Sequence, residues 1–360
     1  MISALAFFIS FVVALAAVPS VIKVASHCRL LDVPDHRKRH ERPVPSLAGV
    51  AVFGSLLLST SIIKALFGSG QLAPGLLAAV VVLFFVGCKD DLIGMSAKRK
   101  LLAQAVATTL VVLSDDLLLT ELGGLIPLQG YSPAIALAAT LLPVLLVVNA
   151  LNLIDGIDGL CSSIGCSSGL LFAVLFALHG QLDYSVYAAV LSGSCFAVLF
   201  FNWRPARIFL GDSGSLVIGL LLAVFCLKYY SVGGSSSIFG TVRQPFLICL
   251  CLALVYVPVL DTVRVFGTRI LSGKSPFAAD RTHIHHILLD QGLSVPAIVG
   301  VVLIAHASAL SFALVGIFTK AFTGWLVVGF LVVGYLCFVQ LLKFCSSERV
   351  SVKPVTAKAA

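Results

Sequence analysis

The sequence predicts an all-α polytopic membrane protein, a bundle of about 10–11 transmembrane helices joined by polar loops. Of its 360 residues, 59% are hydrophobic and only 11% are charged, whereas a soluble domain carries about 25% charged residues. The mean hydropathy is +1.08. No polar stretch is long enough to fold separately, so we expect one membrane domain over residues 1–343 and a short cytosolic tail over residues 344–360.

Eleven apolar segments each approach the roughly 20 residues that a helix needs to cross a bilayer. They are 3–24, 47–66, 72–88, 100–119, 133–154, 159–178, 184–201, 212–230, 244–262, 294–316 and 322–343. Basic residues follow the first segment and none precedes it. We therefore interpret it as a retained helix with its N-terminus outside, not as a cleaved signal peptide. The longest polar connections are 27–46, which is basic and broken by prolines, and 263–293.

The loops between these spans alternate between two sides, and the two sides differ in charge. All but four of the 24 Lys and Arg residues fall on one side, which the positive-inside rule makes cytosolic. All but four of the 16 acidic residues fall there too, although acids contribute little to that rule. We therefore expect the chemistry on the cytosolic face.

Two adjacent carboxylates, Asp90 and Asp91, follow the third span. They repel each other, and at an apolar boundary they stay ionised only near cations. Lys98, Arg99 and Lys100 come directly after them and are candidates for that cation. The alternative is an ordinary solvated charge pair at a helix end.

Four polar side chains recur every three residues at the end of the fifth span: Asn149, Asn152, Asp155 and Asp158. Neighbours three apart share a helical face, but over this distance an α-helix rotates the row by about half a turn. We expect the helix to tighten or to end here, because neighbouring glycines permit an end. Such oxygen ligands suit a hard cation such as Mg²⁺. Hydrogen bonding between helices is the alternative.

The segment 202–215 connects the seventh span to the eighth and contains Arg204, Arg207 and Asp212. Backbone N–H groups at a helix start favour anions, and the two arginines could reach the same anion. The alternative is that Asp212 serves only as an N-cap.

The largest cytosolic loop contains Arg281, His283, His285 and His286. A His-x-His-His pattern could bind a transition metal, and it could equally donate hydrogen bonds to phosphate. A solvated loop with chance histidines is the third interpretation. Carboxylates, carboxamides, fixed cations and imidazoles on one face together indicate Mg²⁺-assisted phosphoryl transfer, in which positioning and charge neutralisation supply most of the catalysis.

These residues resemble the polyprenyl-phosphate N-acetylhexosamine-1-phosphate transferases of glycosyltransferase family 4. The matching stretches, in the order of the family, are 32–45, 90–104, 149–160, 205–219 and 261–286. The histidine stretch resembles the branch that uses N-acetylglucosamine. The resemblance implies ten or eleven transmembrane helices in the bacterial inner membrane. It also implies transfer of a sugar 1-phosphate from a UDP-N-acetylhexosamine to undecaprenyl phosphate, with release of UMP, to begin a cell-envelope polysaccharide.

The resemblance further implies roles for individual residues. Asn152 and Asp212 would hold Mg²⁺ or Mn²⁺. Asp90 would activate the lipid phosphate with support from Asp91, and Lys100 would contact phosphate. The catalytic candidates are therefore Asp90, Asp91, Lys100, Asp155 and Asp158.

The same resemblance implies how the nucleotide donor is held. Phe209 would stack on uracil, Asp158 would bond to the edge of uracil, and Arg281 with the histidines would hold the pyrophosphate and the sugar. The substrate-binding candidates are Asn149, Asp158, Arg204, Phe209, Arg281, His283, His285 and His286.

Several alternatives stay open at this point. Direct displacement by the lipid phosphate and a covalent route through Asp91 fit the motifs equally. A sister transferase that uses another UDP-N-acetylhexosamine, such as a 6-deoxy sugar, would carry the same metal, uridine and lipid motifs. A transporter would need acids near mid-span and paired broken helices. The expected partners are the UDP-sugar, the lipid and the membrane, with no nucleic acid, and we also consider a homodimer.

Overall fold

The fold is a helical membrane bundle, seen in a computed structural model that describes residues 1–32, 43–123, 125–233, 244–276, 281–319 and 324–351. Within these ranges the chain forms thirteen helices and two short two-stranded hairpins, which confirms the predicted all-α polytopic class. The helices are α1 (Ile2–His27), α2 (Ala48–Phe67), α3 (Pro74–Ile93), α4 (Ala97–Ser114), α5 (Pro133–Ile154), α6 (Leu160–Leu178), α7 (Leu182–Asn202), α8 (Asp212–Val232), α9 (Gln244–Leu254), α10 (Tyr256–Leu271), α11 (Ile284–Asp290), α12 (Val295–Thr319) and α13 (Gly324–Ser351). The hairpins pair β1 (Leu31–Asp32) with β2 (Val44–Pro45) and β3 (Glu121–Leu122) with β4 (Ile126–Pro127), both antiparallel.

Seven of the helices described are long and apolar enough to cross a membrane alone, namely α1, α2, α5, α6, α7, α8 and α12. Helices α3 and α4 also coincide with predicted spans, but each carries three charged residues near the end that approaches the other. Those charges shorten the apolar part of both helices. They also concentrate polar groups where α3 ends and α4 begins.

The predicted span 244–262 is not one straight helix. Its two halves, α9 and α10, meet at Val255 and are bent by 92°. Pro258 lies in the first turn of α10, where a residue without an N–H group is tolerated because that group would have no helical partner. The same proline in a continuous helix would remove a backbone hydrogen bond, so the sequence favours a break here.

Helix α8 forms the centre of the bundle and contacts α2, α3, α5, α6, α7 and α9. Glycines allow these helices to approach closely, as small residues do between membrane helices. A Cβ atom added at Gly219 of α8 would lie 2.9 Å from the Cα of Val148 in α5. The first residue of α8, Asp212, is therefore carried on the most enclosed helix of the bundle.

The end of the bundle opposite Asp212 has its own polar contacts. The N–H of Gly70 donates to Asp183 Oδ1 at 2.5 Å, and the ammonium of Lys228 lies 5.1 Å from the centre of the Tyr184 ring. These residues come from the α2–α3 connection, the start of α7 and the last turns of α8. The alternation of loops between two ends agrees with the predicted order of spans.

Two predictions fall partly or wholly outside the described residues. The proline-broken basic segment is described at residues 27–32 and 43–46, while 33–42 lie outside. The predicted tail starts at residue 344, but α13 continues to Ser351, and residues 352–360 lie outside the described ranges.

Candidate active site

Side chains from four helix ends meet around the ammonium group of Lys100. Asp90 lies in the last turn of α3, Lys100 in the first turn of α4, and Asn152 in the last turn of α5, while Asp212 begins α8. Lys100 Nζ lies 2.7 Å from Asp90 Oδ2 and donates to Asn152 Oδ1 at 3.1 Å. It also forms an ion pair with Asp212 Oδ2. We call these four residues the Lys100 cluster.

The donor atoms of the Lys100 cluster fit a hard divalent cation. Two carboxylate oxygens and one carboxamide oxygen converge on a single positively charged atom, Lys100 Nζ, and oxygen ligands of this kind are those that Mg²⁺ takes. The Asn152 Nδ2 group donates to Asp212 Oδ1 at 2.8 Å and to Ser215 Oγ at 3.0 Å, which fixes the direction of its oxygen. Among the residues described, no three His, Cys, Asp or Glu side chains form a metal-binding group, so any cation here would depend on the carboxamide and on substrate oxygens.

Whereas Asp90 contacts Lys100, Asp91 contacts the backbone of α8. Its Oδ1 accepts the backbone N–H of Asp212 at 2.7 Å, and its Oδ2 accepts the N–H of Ser213 at 3.0 Å. These N–H groups begin α8, where a negative charge is stabilised by the helix dipole. The start of α8 was expected to receive a substrate anion. In the structure that anion is the carboxylate of Asp91. The N-cap of α8 is Gly211, and Asp212 is the first residue of the helix.

Two glycines on neighbouring helices make this docking possible. A Cβ at Gly87 of α3 would lie 2.5 Å from the backbone oxygen of Asp212, and a Cβ at Gly49 of α2 would lie 2.2 Å from the nitrogen of Gly214. Neither position has room for a side chain. The backbones of α2 and α3 therefore define where the first turn of α8, and with it Asp212, can lie.

The row of polar residues after α5 does end the helix. Helix α5 stops at Ile154, and Gly159 takes a positive φ of 76° before α6 begins. The Asp155 carboxyl lies in this turn and receives the N–H of Gly211. Burial, followed by the charges of Asp212, Asp91 and Asp158, raises the pKa of Asp155 well above its ordinary value. The raised pKa favours the neutral form of Asp155, so the turn places a carboxyl that can hold a proton beside the Lys100 cluster.

A buried residue that the sequence did not single out holds the same turn. Asn202, the last residue of α7, is 2% exposed. Its Oδ1 accepts the N–H of Gly159 at 2.9 Å, and its Nδ2 donates to the backbone oxygen of Ile208 at 2.9 Å. Asn202 therefore joins the acidic turn to the loop before α8. A carboxamide at the end of an apolar helix is the only sequence signal that could have indicated this role.

Asn149 is placed one turn deeper than Asn152 and pairs with a neighbouring helix. Its Nδ2 donates to Gln104 Oε1 at 2.7 Å, and Gln104 Nε2 donates back at 3.4 Å. Gln104 is fully buried. The contact is hydrogen bonding between helices, the alternative considered for this row. The expected substrate contact of Asn149 stays a prediction.

The loop before α8 is held by backbone hydrogen bonds to the start of α2. The N–H of Phe209 donates to the oxygen of Pro45 at 2.8 Å, and the N–H of Ala48 donates to the oxygen of Phe209 at 3.1 Å. The Phe209 side chain is half-buried and Arg204 is exposed. The uracil and phosphate contacts expected of these two residues stay predictions, and the structure places both residues within one ordered loop.

The histidine segment reaches the acidic turn through His285. A Cβ at Gly156 would lie 3.1 Å from His285 Nε2, so the imidazole is seated on the backbone between Asp155 and Asp158. The His286 ring centre lies 4.3 Å from that of His285. Burial, with the neighbouring imidazoles of His286 and His283, lowers the pKa of His285 to about 3.

Arg281 and His283 make contacts away from the acidic turn. Arg281 Nη2 forms an ion pair with Asp290 Oδ1 at 2.7 Å on the exposed side of α11. The ring nitrogen Nδ1 of His283 lies 2.8 Å from Asp261 Oδ2. The expected pyrophosphate contact of Arg281 stays a prediction, and it requires the guanidinium to leave Asp290.

Comparison of the sequence with known proteins shows its family. A family model described as glycosyl transferase family 4 matches residues 73–230, which include the whole Lys100 cluster. A decaprenyl-phosphate N-acetylglucosaminephosphotransferase of Mycobacterium tuberculosis is 31% identical over 323 residues, covering 80% of this chain and 78% of that protein. An undecaprenyl-phosphate alpha-N-acetylglucosaminyl 1-phosphate transferase of Yersinia pestis is 27% identical over 329 residues, covering 89% of this chain and 86% of that protein. This chain, a multi-pass membrane protein with a cluster of charged residues at one end of its bundle, therefore belongs to glycosyl transferase family 4.

Proposed function

We propose that the protein transfers N-acetylglucosamine 1-phosphate from UDP-N-acetylglucosamine to undecaprenyl phosphate and releases UMP, as the initiating step of a cell-envelope polysaccharide. The observation that carries the proposal is the Lys100 cluster, in which one ammonium, two carboxylates and one carboxamide converge at the bundle end. The relatives from Mycobacterium tuberculosis and Yersinia pestis, named for N-acetylglucosamine and for decaprenyl or undecaprenyl phosphate, support the choice of substrates.

The reaction exchanges one phosphoanhydride for another. An oxygen of the lipid phosphate forms a bond to the β-phosphorus of the donor, and the bond from that phosphorus to the bridging oxygen breaks as UMP leaves. Asp90 takes the remaining proton of the lipid phosphate, while Lys100 offers its charge to the phosphate oxygens. Because Asp91 uses both of its oxygens on the N–H groups of α8, direct displacement is the better-supported of the two routes.

A divalent cation completes the proposed site. Asn152 and Asp212 would hold Mg²⁺ or Mn²⁺, and the ion would supply charge neutralisation for the two phosphates of the donor. Lys100 contacts the same oxygens in the structure, so its side chain would turn toward the substrate phosphates. Phe209 and Asp158 are proposed to hold uracil, and Arg204, Arg281 and the histidines to hold the pyrophosphate and the sugar.

The proposed location is the bacterial inner membrane, with the N-terminus outside and the active site cytosolic. The support for this orientation is the excess of Lys and Arg on the side of the Lys100 cluster. A transporter is disfavoured because the acids of the cluster belong to helix ends and not to mid-span. A homodimer stays a prediction.

One assay tests the proposal directly. Purified protein is incubated with undecaprenyl phosphate, Mg²⁺ and, in separate reactions, radiolabelled UDP-N-acetylglucosamine, UDP-N-acetylgalactosamine and a UDP-linked 6-deoxy N-acetylhexosamine. We expect label in the lipid fraction from UDP-N-acetylglucosamine, and none after chelation or with Asp212→Asn. Label from another donor alone would support the sister transferase, and no lipid label from any donor would refute the function.

A further inference from the structure

A second buried network lies beside the histidine segment and is separate from the Lys100 cluster. Its centre is Asp261 in α10, which is 2% exposed. It includes Arg264 of the same helix, His283 at the start of α11, and Tyr335 of α13. We call these four residues the Asp261 cluster.

Within the part of the chain that the structure describes, the Asp261 carboxylate contacts three side chains and one backbone N–H group. Its Oδ1 accepts from Arg264 Nη2 at 2.7 Å and from the Tyr335 hydroxyl at 2.9 Å. Its Oδ2 lies 2.8 Å from His283 Nδ1, and both oxygens lie 3.2 Å from the backbone nitrogen of Ile284. A buried carboxylate with this many donors is held in one position, because breaking any one bond leaves a buried polar group unsatisfied.

Arg264 attaches the chain just before His283 to the same carboxylate. Its Nη2 group donates both to Asp261 and, at 2.6 Å, to the backbone oxygen of Thr282. The residues on either side of His283 are therefore each tied to the Asp261 cluster, one through Arg264 and the other through the N–H of Ile284. The position of the His283 backbone is fixed at both ends.

The tautomer of His283 follows from the same contact. An ionised carboxylate can only accept a hydrogen bond, so Nδ1 of His283 carries the proton and a neutral ring leaves Nε2 without one. The His283 ring lies parallel to that of His285, with centres 5.8 Å apart and planes within 7°. His285 in turn is seated on Gly156 of the acidic turn. A continuous series of contacts thus runs from Asp261 to the turn that holds Asp155 and Asp158.

We propose that Asp261, completed by Tyr335 from α13, is a positioning residue that orients His283 and seats the histidine segment on the acidic turn. Asp261 does not touch the substrate and acts through the imidazoles. In its kinetic part this inference rests on the proposed function. It assigns to α13, which contains none of the matching stretches, a share in building the active site.

The kinetic test compares two tyrosines whose hydroxyl groups bond to different partners. The hydroxyls of Tyr335 and Tyr256 both form buried hydrogen bonds between α10 and α13, but that of Tyr256 donates to the backbone oxygen of Leu331 and not to Asp261. We expect Tyr335→Phe to lower kcat by about 3- to 10-fold and Tyr256→Phe to change it by less than about 2-fold. Equal losses in the two variants would show that helix packing, not positioning, is responsible, and would overturn the proposal.

A double-mutant cycle tests the link to the imidazole. Asp261→Asn should lower kcat by about 100-fold while KM for the lipid acceptor stays within about 2-fold. Because the proposed effect passes through His283, the variant that combines Asp261→Asn with His283→Gln should be no slower than His283→Gln alone. Additive losses would overturn the proposal.

A measurement that needs no substrate separates this inference from the proposed function. Hydrogen–deuterium exchange of the peptide covering residues 281–290 should be faster in Asp261→Asn and Tyr335→Phe than in the wild type, and unchanged in Tyr256→Phe. Unchanged exchange in Asp261→Asn would overturn the proposal. Failure of the wild type to label lipid would refute the transferase assignment and leave the exchange result to decide the role of Asp261.

Discussion

The carboxylate of Asp91 receives the backbone N–H of Asp212 at 2.7 Å, so one acid of the site is held in place by another. The two residues are far apart in sequence, in α3 and α8, and their carboxylates make different contacts. Asp91 faces the backbone of α8, whereas Asp212 directs its carboxylate to Lys100 and Asn152. A pair of adjacent aspartates in the sequence thus divides into one that contacts Lys100 and one that sets the start of a helix.

The Asp91 assignment predicts a partial loss of activity. Asp91→Asn keeps one acceptor for the N–H groups of α8 but removes the charge that interacts with the helix dipole, at a cost of about 1–2 kcal/mol. We expect a lower melting temperature in detergent and a transfer rate reduced by about 10- to 100-fold. A covalent aspartyl-phosphate route requires a carboxylate at this position, so a rate of zero in a folded variant would favour that route instead.

Lys100 is predicted to be indispensable because it lies between two carboxylates. Lys100→Met retains the length of the side chain but leaves Asp90 and Asp212 facing each other without a cation between them. We expect the transfer rate to fall by about 100- to 1000-fold. The matched control is Lys98→Met, an exposed lysine in the same helix turn, which should keep nearly the full rate. Equal losses in both variants would contradict the geometry of the Lys100 cluster.

The close approach of α2 to α8 can be tested with two glycines of one helix. Gly49→Ala would place a Cβ 2.2 Å from the nitrogen of Gly214, whereas Gly54→Ala meets no atom within 4 Å. We expect the first change to destabilise the protein by about 1–3 kcal/mol and to reduce activity by displacing Asp212. The second should cause no loss, because alanine is the better helix former. Melting temperatures and transfer rates of the two variants decide the comparison.

Direct displacement predicts that the reaction is reversible. The bond broken and the bond formed are both phosphoanhydrides, so the free-energy change of the step is small. Purified protein given the labelled lipid product and excess UMP should release labelled UDP-N-acetylglucosamine. Lys100→Met should lose the forward and reverse reactions to the same extent. A preparation active in the forward direction that shows no reverse reaction would argue against direct exchange.

His285 predicts a specific dependence of stability on pH. Its pKa is lowered from 6.5 to about 3. Between these two pH values the imidazole is protonated in the unfolded chain and neutral in the folded protein. The stability contributed by His285 is therefore complete above pH 6.5 and is lost at about 1.4 kcal/mol per pH unit as the pH falls toward 3. We expect the wild type to lose more stability between pH 7 and pH 5 than His285→Gln does. Exposed His27 in α1 provides the control, since His27→Gln should keep the wild-type pH dependence.

The sequence predicted the helical membrane bundle and the main acids because both leave local signals. Apolar length identifies a membrane helix, and polar residues at the ends of such helices are costly enough to indicate a site. Asp90, Lys100, Asn152 and Asp212 were all candidates on this ground, and the structure brings all four together. The bend at Val255 was missed, although Pro258 was a visible cue.

Other features depend on partners distant in the chain and have no local signal. Nothing in the sequence distinguishes Asp91 from Asp90, because the difference lies in which one faces the backbone of α8. Asn202 and Tyr335 belong to mostly apolar helices, and neither lies in one of the matching stretches. Their importance comes from the residues that they contact. Only the three-dimensional arrangement could show that Tyr335 of α13 donates to Asp261.

Because Tyr335 lies in α13, the two clusters are completed at different stages of synthesis. The Lys100 cluster is complete once α8 has been synthesised, because its members lie between residues 90 and 212. The Asp261 cluster also needs Tyr335 of α13, which is synthesised after every member of the Lys100 cluster. A nascent chain therefore carries its reactive groups before it obtains the contact from α13 that helps to orient its histidines.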